Sequence, residues 1–229
     1  MEHRVEKIFA DEQNLPENER LLVSFILDET GSMETCKEAT ISGFNEYIET
    51  LKQRRGTIRM TLMKFDSTKM DIVYEDKAIG DIEPLNEDTY RPGAMTPLYD
   101  AIAKTIQDIP EDRDNVLCII MTDGLENASQ EYKREDIFKM IKEKEEQGWS
   151  FVFLGANQDS WQTGQSIGLS QGNVADYSNS DIGMGNTFNV LANNTMCYTA
   201  QTGSYFSEDD KRIMVEDKEE ARFNSKGEK

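Results

Sequence analysis

The chain has 229 residues, 30% of them charged, with a formal net charge of −19, a length that suits one large, well-filled domain better than two. The negative surplus repels nucleic-acid phosphates and anionic lipid head groups at long range, which sets both aside as partners. Cys36, Cys118 and Cys197 form neither a disulfide framework nor a zinc site, no stretch nears the roughly 18 apolar residues of a membrane span, and the first residues lack a signal-peptide core, so the setting reads as reduced and cytoplasmic.

Residues 1–19 read as a polar N-terminal arm, and the one histidine, His3, reads as a solvated terminal residue. With no other histidine, a His-based nucleophilic triad is excluded. Leu21 to Leu27 is an apolar run with β-branched and aromatic members, the composition of a strand buried on both faces, and it ends abruptly at Asp28. A helix is predicted over 34–54, because Ile41, Phe44, Ile48 and Leu51 share one stripe and Gly56 follows as a stop. Thr57 to Phe65 and Met70 to Tyr74 read as two strands, with Asp66-Ser67 between them as a hairpin turn.

Glu75 to Gly93, broken by Pro84, Pro92 and Gly93, reads as a loop. Leu98, Ala101, Ile102, Thr105, Ile106 and Ile109 make a helix face that stops at Pro110. Val116 to Met121 is the next buried strand, Glu131 to Gln147 a charged amphipathic helix resting on Ile137, Met140 and Ile141, and Trp149 to Leu154 another strand. Past Gly155 the pattern weakens: a helix over 160–169, a short strand over 174–177 and a closing helix over 181–201, weakened by Gly183 and Gly185. Residues 205–229 are charged, poor in apolar residues, and read as a flexible tail. The domain proper is therefore taken as 20–204.

Strands alternating with helices predict an α/β fold: a doubly wound, mostly parallel sheet with one antiparallel strand from the hairpin and helices on both faces. In such sheets ligands bind beyond the carboxyl ends of the strands. Asp28 and Asp123 both stand there. Around them lie Thr30 and Ser32, at alternate positions after Asp28, and Thr96 before Pro97, giving two carboxylates and three alcohols. That all-oxygen set suits a small hard cation such as Mg2+ or Mn2+.

Asp28-Glu29-Thr30-Gly31-Ser32, then Thr96 in Met95-Thr96-Pro97, then Asp123 in Thr122-Asp123-Gly124 resemble the metal-ion-dependent adhesion site of von Willebrand factor A domains, over about residues 20 to 200. The family pattern is Asp-x-Ser-x-Ser, a distant Thr and a distant Asp. Thr30 stands where the family usually has Ser, keeping the hydroxyl and adding a methyl. The resemblance implies a Rossmann-like fold, metal ligation by Asp28, Thr30, Ser32, Thr96 and Asp123, and a protein partner that supplies a Glu or Asp carboxylate to the ion. It further implies a non-enzymatic binding module, an adaptor of the intracellular bacterial or phage type.

Other readings attach to the same residues. Asp28 with Ser32, and Thr96 before Pro97, also fit helix N-caps, and Asp123-Gly124 also fits a turn. Asp100 suits the first turn of its helix, as a dipole partner or as support for the ligands, while Asp66 and Glu126 read as solvated. Met33, Met60, Met63, Met95 and Met121 read as core or rim filler. Asp28-Glu29-Thr30 further resembles the Asp-x-Asp-x-Thr motif of haloacid-dehalogenase-type phosphatases, with Asp28 as nucleophile, but Thr30 replaces the acid that would shuttle the proton. Val116 to Asp123 has the form of a Walker B strand, yet no GxxxxGK[ST] is present to cradle phosphates. A metal-independent structural role, as in a virion component, is the remaining alternative.

Overall fold

The computed structural model describes residues 20–54, 58–113, 115–156, 159–198 and 205–216. The expected arm 1–19 with His3, the stop at Gly56, the end of the closing helix past Tyr198 and the last thirteen residues of the tail (217–229) lie outside them.

Six strands form one sheet: β1 (Leu21–Asp28), β2 (Ile58–Asp66), β3 (Lys69–Ala78), β4 (Val116–Thr122), β5 (Ser150–Gly155) and β6 (Val174–Asp176). Their order is β3-β2-β1-β4-β5-β6, and only the β2–β3 pair is antiparallel. The helices are α1 (Lys37–Leu51), α2 (Leu98–Asp108), α3 (Arg134–Glu146), α4 (Ser160–Ser166), α5 (Asp181–Cys197) and α6 (Glu208–Val215). The doubly wound α/β arrangement expected from the alternation is the one observed. No helix among the described residues is long and apolar enough to cross a membrane.

β1 and β4 lie at the centre and are buried along their whole length. Because side chains alternate across a strand, Leu21, Val23, Phe25 and Leu27 join one core with Phe44 and Tyr47 of α1 and Phe188 of α5, while Leu22 and Ile26 join the other with Ile102 and Ile106 of α2 and Ile137 and Ile141 of α3. The first core is held by an aromatic group: Phe25 meets Phe44 edge-on at 5.6 Å between centroids and stacks on Phe188 at 6.3 Å. Gly43 on α1 makes room for Phe188; a Cβ there would lie 2.1 Å from its Cδ2. β1 pairs with β2 on one side, after a crossover through α1, and with β4 on the other, after α2 on the opposite face. The order in which strands are added thus reverses between the parallel neighbours β1 and β4, and the crevice that this opens lies at their carboxyl ends.

Several boundaries differ from expectation for local reasons. β3 runs on to Ala78 rather than Tyr74, with register shifts on its β2 partner between Met60 and Leu62 and between Leu62 and Met63, and a single 3-10 turn, Ile79–Asp81, follows in the expected loop. α3 begins at Arg134 rather than Glu131, because the backbone N–H groups of Gln130, Glu131 and Tyr132 are bound by the Asp100 carboxylate. α4 stops at Ser166 rather than Leu169, since Gly168 takes φ +99°.

The largest correction concerns the tail. Residues 205–216, expected to be flexible, pack against the fold: Met214 is fully buried, and Tyr205 and Phe206 close over the first core. Ser207 starts α6 with a reciprocal cap, its Oγ accepting the Asp210 N–H at 3.1 Å while the Asp210 carboxylate accepts the Ser207 N–H at 2.8 Å. Ser178 N–H then donates to Met214 O at 3.0 Å, and Asn186 to Ile213 O at 2.9 Å. Two aromatics and one methionine suffice to anchor a stretch that is poor in apolar residues.

Candidate metal centre

Asp28 ends β1 with a side chain held from two directions. Its Oδ1 accepts the Thr30 N–H at 2.7 Å and its Oδ2 accepts the Thr122 hydroxyl at 2.5 Å. The Tyr90 hydroxyl donates to its main-chain oxygen at 2.6 Å. The chain then turns into a 3-10 helix, Gly31–Cys36, that carries Ser32.

From there the oxygens follow one another. Thr96 Oγ1 lies 3.4 Å from Thr30 Oγ1, Thr30 Oγ1 lies 3.2 Å from Ser32 Oγ, and Ser32 Oγ donates to Asp123 Oδ1 at 2.5 Å. Four side chains from three separate loops thus form one continuous run of oxygen atoms, with Asp28 alongside. Thr30, Thr96 and Asp123 are buried like Asp28, whereas Ser32 is exposed, so the group opens to solvent on the Ser32 side.

The helix-cap alternatives fare poorly. Thr30 occupies the capping position of the 3-10 turn without a side-chain hydrogen bond to it, and Pro97, not Thr96, immediately precedes α2. The Thr96 hydroxyl faces Thr30 instead of the helix. Its loop is tied on both sides: Thr96 N–H donates to Asn127 Oδ1 at 2.9 Å, Asn127 N–H returns to Thr96 O at 3.0 Å, and Gly31 N–H donates to Ala94 O at 3.2 Å. Ala94 itself adopts φ +59°, a left-handed conformation that a non-glycine residue takes only when its surroundings enforce it.

Burial pushes the Asp28 carboxyl up to about 6, more strongly than the hydrogen bonds from Thr122 and Thr30 pull it down. Burial also raises Asp123. Among the described residues neither acid forms an ion pair with a basic side chain; Lys64 and Lys69 pair with Glu29 instead. Two desolvated carboxylates beside three alcohols are an oxygen-only set whose charge a dication would offset, and such a set fits Mg2+ or Mn2+.

Asp66 and Glu126 are not solvated as expected, while Asp100 stands in the first turn of its helix as expected. Asp66 is buried and its Oδ1 closes the β2–β3 turn by accepting from the Thr68 N–H and hydroxyl, each at 2.6 Å, and from the Lys69 N–H at 3.1 Å. Glu126 accepts from the N–H groups of Tyr99, Ala128 and Ser129, joining the start of α2 to the loop after β4. Asp100 binds three backbone N–H groups of that same loop, at 2.7, 3.1 and 2.9 Å. Met33, Met60, Met63 and Met121 are core, whereas Met95 is exposed on the rim beside Thr96. The sequence reading passed over Thr122, Tyr90 and Asn127, of which only Thr122, next to Asp123 at a strand end, stood where a supporting hydroxyl could have been sought.

Asp100→Ala is expected to destabilise the fold by about 3 kcal/mol, because three N–H donors lose a charged acceptor at once. A urea unfolding curve checks it; superposition on wild type would show that the loop holds without that carboxylate.

No family model and no curated protein matches the sequence. The fold is similar to solved structures at low sequence identity. A von Willebrand factor type A protein from Catenulispora acidiphila superposes with a TM-score of 0.55 at 14% identity over 78% of this chain and 43% of that one. The pilus adhesin SpaC from Lactobacillus rhamnosus GG gives 0.57 at 14% over 80% of this chain and 30% of that one. The vWF domain of the type V pili tip protein Mfa5 from Porphyromonas gingivalis gives 0.56 at 9% over 81% and 97%. The chain thus spans less than half the length of the first two, but nearly all of the isolated third domain.

Proposed function

We propose that this von Willebrand factor A fold is a non-enzymatic protein-binding module whose contact with its partner runs through a divalent cation, Mg2+ or Mn2+, held by Asp28, Thr30, Ser32, Thr96 and Asp123. One observation carries the reading: the oxygen run from Thr96 through Thr30 and Ser32 to Asp123, spaced at 3.4, 3.2 and 2.5 Å and drawn from three loops. When bound, the ion supplies Lewis acidity for an incoming anionic oxygen, and a Glu or Asp of a partner protein is the matching group.

The chain's own residues do the rest. Thr122 and the Thr30 N–H hold the Asp28 carboxylate in one orientation, Asn127 fixes the Thr96 loop, and burial on all sides but that of Ser32 excludes bulk water. A phosphatase reading would need a second carboxylate at the position of Thr30, whose hydroxyl is instead shared between Ser32 and Thr96. The free thiols Cys36, Cys118 and Cys197 suit a reducing interior, and an intracellular adaptor role goes with it.

Thermal unfolding with and without MgCl2, after chelation, tests the ion. At about a hundred times its dissociation constant, a ligand specific for the folded state adds about 2.7 kcal/mol, so the melting midpoint should rise with Mg2+ and fall back with EDTA. Midpoints indifferent to both Mg2+ and Mn2+ would refute the reading. Capture of a protein partner that EDTA releases then tests the binding role.

A further inference from the structure

Glu29 stands between two of the proposed ligands, Asp28 and Thr30, yet it is 1% exposed and gives no oxygen to their group. Its polar groups reach two other segments of the chain. Its N–H donates to Phe65 O at the end of β2 at 2.9 Å, and its main-chain oxygen accepts the Gly93 N–H, also at 2.9 Å. Its carboxylate accepts the Arg91 N–H, Lys64 Nζ at 3.0 and 3.1 Å, and Lys69 Nζ at 2.8 Å. Lys64 goes on to donate to Thr89 O at 2.5 Å. One residue thus fastens the Asp28 turn to the β2–β3 hairpin and to the stretch 89–93, which leads directly to Thr96.

Burying charged groups carries a desolvation penalty that well-packed apolar side chains of the same size would avoid. What the ions add over apolar packing is direction, since each bond has a fixed length and angle. The segments so directed are the two that carry Thr30, Ser32 and Thr96.

We propose that Glu29, clamped by Lys64 and Lys69, is a positioning residue for the cation site, setting the separation of the Asp28–Ser32 turn from the Thr96 loop so that their hydroxyls close to the size of a small ion. The proposal rests on reading the group as a cation site. Its consequence is selectivity. Mg2+ demands near-octahedral oxygens at about 2.0 to 2.1 Å, whereas Ca2+ tolerates irregular shells at about 2.3 to 2.6 Å. A site loosened by a fraction of an ångström loses the smaller ion first.

The test is calorimetric titration of the full chain with MgCl2 and with CaCl2, for wild type, Glu29→Gln and Lys64→Met, at a temperature where circular dichroism shows each folded. Glu29→Gln makes the surroundings more positive and Lys64→Met less so; a change in both variants of the same sign therefore reports geometry rather than charge. Mg2+ affinity is expected to fall about tenfold in each, with Ca2+ affinity changing by less than about threefold, so that the Mg2+ to Ca2+ ratio drops in both. If either variant fails to fold, Lys69→Met, whose side chain is 33% exposed, carries the same comparison with a smaller drop. Variants that melt earlier but keep the wild-type ratio, or raise it, would reduce the clamp to a structural strut and overturn the proposal. A wild-type chain that binds neither ion would remove the cation-site reading itself, and this one with it.

Discussion

Replacing Gly124 by alanine is expected to weaken Mg2+ binding by more than about tenfold while moving stability by less than about 1 kcal/mol. A Cβ at this position would lie 2.9 Å from Thr96 Oγ1 and 3.5 Å from Ser32 Oγ. Thr96 can relieve the contact by rotating about its first side-chain bond, which takes its hydroxyl out of reach of Thr30. The backbone of Gly124 has no left-handed torsion that alanine would resist, so the fold has little to lose. Calorimetry with Mg2+ and a thermal melt of the same sample separate the two effects. Wild-type affinity in this variant would mean that Thr96 contributes nothing to the ion.

Phe188→Ala is expected to destabilise the chain by about 3 to 5 kcal/mol, since a fully buried ring between Phe25 and Tyr47 leaves a cavity that its rigid neighbours cannot fill. The informative companion is Gly43→Ala. In wild type the new methyl collides with the Phe188 ring, 2.1 Å from Cδ2, and overpacking of this kind lowers stability by about 1 to 3 kcal/mol. In the Phe188→Ala background the obstruction is gone, and the better helix propensity of alanine raises stability by about 1 kcal/mol. The same substitution should therefore change sign with its background. Urea unfolding of the four proteins measures it, and additive values would show that α1 and α5 do not interlock at this point.

The sheet was legible because burial on both faces writes a nearly continuous apolar run, as in Leu21–Leu27, interrupted only by Ser24, and in Val116–Met121. The candidate site residues stood out as types: carboxylates and alcohols gathered at strand ends and helix starts. Their convergence was implied by the strand ends and the family resemblance, but the long-range ties that hold it, such as Asn127 to Thr96 and Thr122 to Asp28, leave no periodic trace. Asp66 and Glu126 misled for a related reason. An acid that gathers backbone N–H groups and an acid that faces water look alike in sequence, and only the turn around it distinguishes them. The stretch from Tyr205 misled through averaging, since its charge outweighs the Tyr205, Phe206 and Met214 that anchor it, although Ser207 and Asp210 carried the spacing of a capped helix all along.

The antiparallel strand β3 has a further consequence for how copies of this molecule behave when crowded. Lys69, Asp71, Glu75, Asp76 and Lys77 populate this outermost strand, its pairing with β2 slips register twice, and Asp76 takes φ +40°. A neighbour seeking to extend the sheet would meet a row of charged side chains and a kinked backbone instead of a straight hydrogen-bonding template. The opposite border is only three residues long. Sheet extension by strand addition is thus disfavoured at one margin and offered almost no length at the other.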